Sequence, residues 1–291
     1  MRVENEAAYV LEARPYRETS LLIEAFTARH GRVALVARGI RGESRRQAAR
    51  RAVLEPFRLL RIGFAGLGEV MTLTAVEPDG LPLRPVGAPM FAGLYVNELV
   101  QKLTGRGDAV TALFSRYSMW LAELADLLAA GQVDGDAGPR TSVDPAEAIH
   151  PDGNPECADT ARAGADDIDR GALSWSLRRF ERDLLAILGY ALALDHDSDS
   201  GRPLDVDADY ALDPEHGARP WTAGAAWPKA RGSTLLAWAG EEEPDDDDAR
   251  ELKRLARLVV RHHLGGVDLR AWKLASDWRT ARFATVTPPR R

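Results

Sequence analysis

Between Arg38 and Arg61 the sequence places eight arginines, at positions 38, 41, 45, 46, 50, 51, 58 and 61, against two acids, Glu43 and Glu55. A guanidinium is planar, stays charged at any ordinary pH and can hold a phosphate through two parallel hydrogen bonds. So many arginines, with no lysine and few acids, lack the mixed-sign character of a solubility patch and point to phosphate. The chemistry they offer is capture of a nucleic-acid backbone. The candidate DNA-binding residues are Arg38, Arg41, Arg45, Arg46, Arg50 and Arg51. Arg38 and Arg41 stand where a strand-like run enters the segment, so they are expected to be held best. The other four are expected to form a flexible cloud on a loop.

Groups that make or break bonds are scarce. The sequence contains no phosphate-binding glycine loop, no Gly-x-Ser-x-Gly and no clustered His/Asp metal pattern, so no catalytic residue is assigned. The single cysteine, Cys157, excludes an internal disulfide framework and a multi-cysteine zinc site. Asp245–Asp248 reads as the acidic start of a helix rather than a metal site, because consecutive acids on a helix point in different directions. No cofactor is expected. The first residues carry acids where a signal peptide would carry bases, and no apolar run reaches the roughly 20 residues of a membrane span. The expectation is a soluble, cytoplasmic, nucleoid-associated protein.

The chain has 291 residues and a net charge of −6, unevenly shared. Residues 1–80 hold 13 Arg, no Lys and 10 acids, a net of +3, which leaves −9 for residues 81–291. A basic module joined to an acidic one implies a local electrostatic footprint. Strand patterns fall at Ala8–Ala13, Ser20–Thr27, Arg32–Arg38, Val53–Phe64 and Glu69–Val76, divided by turn signals that include the glycines of 63–68. Five short strands in about 75 residues suit an OB-fold, and an SH3-like barrel would give a similar pattern. On such a barrel Tyr16, Phe26, Phe57 or Phe64 could stack bases, although their apolar neighbours favour the core.

Four prolines and two glycines between Pro78 and Pro89 mark a boundary at about residue 80, after which helical spacing takes over. Helices are expected over Phe91–Leu103, from Asp108 to Leu128, over Leu173–Gly189, over Thr234–Ala239, from Asp245 to Gly265, and over Leu269–Thr280. Residues 130–170 lose periodicity and read as an insert, a loop expected to be mobile. The fold class is α+β: a five-stranded OB-fold over 1–80, then an all-helical domain over 81–291, with a turn-rich, partly β segment from Asp195 to Trp227.

Several blocks, in order, resemble the RecO family of bacterial recombination mediators. They are Arg14-Pro15-Tyr16-Arg17-Glu18-Thr19-Ser20, Gly31-Arg32-Val33 with Ala37-Arg38-Gly39, and Leu54-Glu55-Pro56-Phe57. Further along come Gly93-Leu94-Tyr95-Val96-Asn97-Glu98-Leu99, Leu177-Arg178-Arg179-Phe180-Glu181, Leu188-Gly189-Tyr190 and His263-Leu264-Gly265-Gly266. The resemblance implies binding of single- and double-stranded DNA, annealing of complementary strands, and contact with RecR and with single-strand-DNA-binding protein (SSB). Through these partners the family promotes RecA loading at gaps and breaks. It also implies that Arg178, with Arg179 second, receives the acidic, apolar SSB tail that ends in a phenylalanine carboxylate.

Two departures stand out. Some relatives hold a four-cysteine zinc site near the segment matching His196–Pro203, which here lacks cysteines, so no zinc is expected. The basic motif after the double glycine is thinned to Arg270 and Lys273, which leaves open whether that end meets DNA. The competing reading is an adaptor that bridges SSB and RecR and binds DNA only weakly.

Overall fold

The computed structural model describes residues 1–42, 44–135 and 170–284. Five strands, β1 (Arg2–Tyr16), β2 (Ser20–Thr27), β3 (Gly31–Ala37), β4 (Leu60–Ala65) and β5 (Val70–Pro78), close into a barrel of order β1-β2-β3-β5-β4. The expected OB-like architecture is present. β1 is long enough to serve two neighbours: residues 2–8 pair with β4 and residues 8–16 with β2. A register shift between Val10 and Glu12 bends it from one partner to the other. The seam is the parallel pairing of Ala34–Val36 with Val70–Thr72.

The strands alternate, but β1 and β2 bury both faces. Val10, Ile23, Leu35, Ile62 and Phe64 point into the barrel. Tyr9, Leu11 and Phe26 point the other way, into a second core shared with the helices. That is why these strands read as near-continuous apolar runs rather than as clean alternation.

Two expectations need correcting here. The arginine segment is not a loop. It forms α1 (Arg45–Val53), and the strand foreseen from Val53 begins only at Leu60. Ser44 caps α1 with a reciprocal pair: its Oγ accepts from Gln47 N at 3.3 Å, and Gln47 Oε1 accepts from Ser44 N at 3.3 Å. Arginine is a good helix former, so a cap and an anchored exit suffice. The segment enters through Ile40 and leaves through Leu54, both in the barrel core.

The C-terminal region is helical: α2 (Ala88–Leu103), α3 (Thr111–Gly135), α4 (Arg170–Ile187), α5 (Gly232–Ala239), α6 (Asp246–His263) and α7 (Arg270–Ala284). It is not all-helical, however. A three-stranded antiparallel sheet, β6 (Asp209–Asp213), β7 (Gly217–Pro220) and β8 (Lys229–Arg231) in order β7-β6-β8, sits against α5 and α6, its apolar face supplied by Tyr210, Leu212 and Ala218. α3 continues to Gly135, and the rest of the insert expected over 130–170 lies outside the described residues up to residue 169.

The resembling block on α2 ties the two regions together. Gly93 lies under the Phe57 ring, where a Cβ would come within 2.6 Å of Phe57 Cζ. Asn97 Nδ2 donates to the carbonyl of Leu11, at the β1 bend, at 3.0 Å, and Tyr117 OH donates to Asn97 Oδ1 at 2.6 Å. Glu98 caps α7, accepting from Arg270 N and Ala271 N. A further clamp joins β3 to the α2–α3 connection: Arg32 donates to the Thr104 carbonyl at 2.7 Å and pairs with Glu24 at 3.2 Å. Gly31 there has φ +61 and faces the Asp108 backbone, with no room for a side chain.

Candidate nucleic-acid interface

The turn between β1 and β2, the end of β3 and the start of β5 enclose an open groove of about 920 Å³ on the barrel. Its walls include Tyr16 and Arg17 on one side, Val70 and Met71 on the other, and Arg38. Arg17 holds a left-handed backbone, φ +52, which places its guanidinium 5.2 Å from the centre of the Tyr16 ring. The carbonyl of Thr19 accepts from Ile40 N and Arg41 N, and Arg41 Nη1 donates to the carbonyl of Arg17 at 3.0 Å. The chain leaving β3 is thereby locked to the turn that carries Tyr16.

The six candidate arginines divide by what they touch. Arg38, Arg45, Arg50 and Arg51 are exposed and have no ion-pair partner among the described residues. Arg41 is exposed but works partly as a brace. The side chain of Arg46 lies outside the described residues. The two remaining arginines of the run serve the fold: Arg58 donates to the Gly80 carbonyl at 3.0 Å, and Arg61 pairs with Asp79 at 2.6 Å. Since α1 is a helix, Arg45, Arg50 and Arg51 are displayed on a helical spiral and not on a loop. The signal for this was Ser44-x-x-Gln47, a capping box in the sequence.

Of the aromatic candidates, Tyr16 alone opens onto the groove, half-buried. Phe26 and Phe64 are fully buried, and Phe57 packs against Gly93. These three are core residues: Phe64 on β4 fills the barrel core, and Phe26 on β2 and Phe57 between α1 and β4 fill the core shared with the helices.

Arg178 and Arg179 are both held in ion pairs. Arg178 Nη2 pairs with Glu181 Oε1 at 2.7 Å, and both side chains are buried. Tyr95 OH donates a short hydrogen bond to the same carboxylate. Burial pushes the Glu181 carboxyl up, Arg178 pulls it back, and the Tyr95 hydroxyl is held well above its usual range by burial beside Glu181. Arg179 is half-buried, between Glu123 at 3.1 Å and Glu241 at 3.6 Å. Arg182, which sequence reasoning passed over, donates to the carbonyls of Trp238, Ala239 and Gly240 and so closes the C-terminus of α5.

The remaining charged motifs organise turns. Asp197 accepts from Asp199 N at 2.9 Å and Ser200 Oγ at 2.6 Å, and an isolated bridge joins His196 to Pro203. Asp245 accepts from Asp247 N and Asp248 N at the start of α6. Among the described residues no three His, Cys, Asp or Glu side chains gather as a metal site. No described helix is long and apolar enough to cross a membrane.

A closed five-stranded, OB-like barrel that carries exposed arginines without ion-pair partners among the described residues, joined to a helical C-terminal region, sets the class of this protein. Family models place it more narrowly. The one described as "Recombination protein O N terminal" matches residues 1–79, and "Recombination protein O C terminal" matches residues 166–273. The chain is 36% identical over 281 residues to the "DNA repair protein RecO" of Xanthomonas euvesicatoria pv. vesicatoria (strain 85-10), covering 95% of this chain and 98% of that one. It is also 36% identical over 277 residues to the protein of the same name from Stenotrophomonas maltophilia (strain R551-3), covering 94% and 97%. The chain belongs to the RecO family of DNA repair proteins.

Proposed function

We propose that this protein binds single- and double-stranded DNA without sequence preference and anneals complementary strands as a non-catalytic mediator of recombinational repair. The observation that carries this reading is the set of exposed arginines left without acidic partners among the described residues: Arg38 at the barrel groove, and Arg45, Arg50 and Arg51 on α1. Annealing needs no nucleophile. It needs the repulsion between two phosphate backbones offset while the bases stay free to pair, and a field of arginines does this by releasing counterions. Mixing complementary oligonucleotides with the protein at two salt concentrations, with and without SSB, tests it. Pairing is expected to accelerate strongly at low salt and much less at high salt. Equal rates with and without protein at low salt would favour the adaptor role instead.

The proposal extends to SSB and RecR as partners and, through them, to RecA loading, as family membership suggests. An acidic tail with a terminal carboxylate suits a cation beside apolar surface. Arg179 is the more accessible of the two arginines singled out for it. A carboxylate reaching Arg178 would have to displace Glu181.

A further inference from the structure

The tip of the β4–β5 hairpin carries a leucine that touches nothing. Leu67 is 100% exposed and stands between Gly66 and Gly68. A lone exposed leucine is ordinary on a protein surface. This one has company and a direction. Val70, 46% exposed, follows three residues later, at most about 11 Å away along the chain. The last rung between β4 and β5 joins Ala65 to Thr72, and Gly66 exchanges hydrogen bonds with Met1, so the exposed tip is Leu67-Gly68-Glu69. β5 then swings to β3, pairing through Val70–Thr72, the same residues that line the groove. Gly66 packs on Met71, with Met71 Cγ only 3.0 Å from where a Cβ would stand. The tip therefore lies within three residues of chain of the strand start that lines the groove.

We propose that Leu67 is a wedge that enters between two neighbouring bases of a nucleic-acid strand held in this groove. Aliphatic side chains unstack base steps this way when nearby cations hold the backbone in place. Arg17 and Arg38 supply those cations here. The glycines on both sides let the tip approach the stack without side chains of their own. A strand opened at such a step presents unstacked bases for pairing, which links the wedge to annealing. This inference rests on the DNA-binding reading above.

The test uses a single strand carrying 2-aminopurine, whose fluorescence rises on unstacking, with binding followed separately by anisotropy. The full-length protein is expected to raise the fluorescence at least about twofold at saturation, as wedge insertion requires. Leu67→Ser, which disturbs no packing within the protein, should bind within about twofold of wild type and give less than half of that rise. A Leu67→Ser signal equal to wild type at saturation would overturn the wedge and leave the leucine as a surface for a protein partner. So would wild-type binding with no rise. Absence of binding in the anisotropy arm at low salt would remove the DNA reading and the wedge together.

Discussion

The barrel and the helical region use arginine in opposite ways. On the barrel Arg38, Arg45, Arg50 and Arg51 face solvent, unpaired among the described residues. In the helical region Arg116, Arg178, Arg179 and Arg182 are each matched to carboxylates or carbonyls and largely withdrawn from water. The difference lies in the neighbours. Arg178-Arg179-Phe180-Glu181-Arg182-Asp183 interleaves both signs within two helical turns, and α3 adds Glu123. The stretch from Arg38 to Arg61 offers two acids for eight arginines. An arginine run that its own fold leaves unneutralised stays available to a ligand; a mixed-sign run is spent on structure.

The sharpest way to break this comparison is at Arg178. Removing one member of a buried pair strands the other charge, so Arg178→Met should lower stability by about 3–5 kcal/mol. Adding Glu181→Gln removes that stranded charge while keeping an acceptor for the Tyr95 hydroxyl, and more than half of the loss should return. Denaturant unfolding of the two variants checks it. An Arg178→Met protein of wild-type stability that no longer binds an SSB tail peptide would show that Arg178 belongs with the free arginines.

The reverse experiment replaces Arg38, Arg45, Arg50 and Arg51 together with alanine. Stability should change little, since these side chains have no partner among the described residues to lose. Affinity for every DNA sequence should fall at least about tenfold at low salt, and the salt slope should drop by about one for each phosphate that is no longer neutralised. Anisotropy titrations at several salt concentrations measure both. Unchanged slopes would move the DNA surface elsewhere, with Arg270 and Lys273 on α7, both exposed, the next to examine.

Much of this contrast was legible in the sequence. Ser20–Thr27 is a strand over those very residues, and the third and fifth strands fall within a few positions of their patterns, whereas β1 begins six residues before Ala8 and Val53–Leu59 is not a strand. That stretch misled because Val53, Leu54 and Phe57 are apolar for separate reasons. Leu54 plugs the barrel end, while Phe57, with φ +66, turns out to cover Gly93. The small sheet of the C-terminal region was half-seen because its strands are three to five residues long, too short for periodicity to show. Arg178 and Arg179 stood out by resemblance. Glu181 stands in the same block, yet local sequence cannot show Tyr95 closing on it from another helix. The groove was invisible too, because it is assembled from three separate strand ends.

The smallest effect probes how the free arginines are displayed. If α1 were only a charged loop, its cap would not matter. Ser44 accepts from Gln47 N, and Gln47 in turn donates from Nε2 to the Gly39 carbonyl at 3.0 Å, so one residue pair ties the helix start to the end of β3. Ser44→Ala removes the cap acceptor and should cost about 1 kcal/mol, felt within the first turn of α1. Hydrogen exchange of the α1 amides should quicken while amides of the barrel ladders keep their protection, because helix ends open locally before the core does. DNA affinity should weaken by no more than about fivefold, since the charges remain and only their preorganisation is reduced. Wild-type exchange rates throughout α1 would mean that Leu54 and Ile40 alone hold the helix. Loss of protection across the barrel would mean that the arginine helix is part of the barrel's foundation, and the division between bound and free arginines would then have to be redrawn.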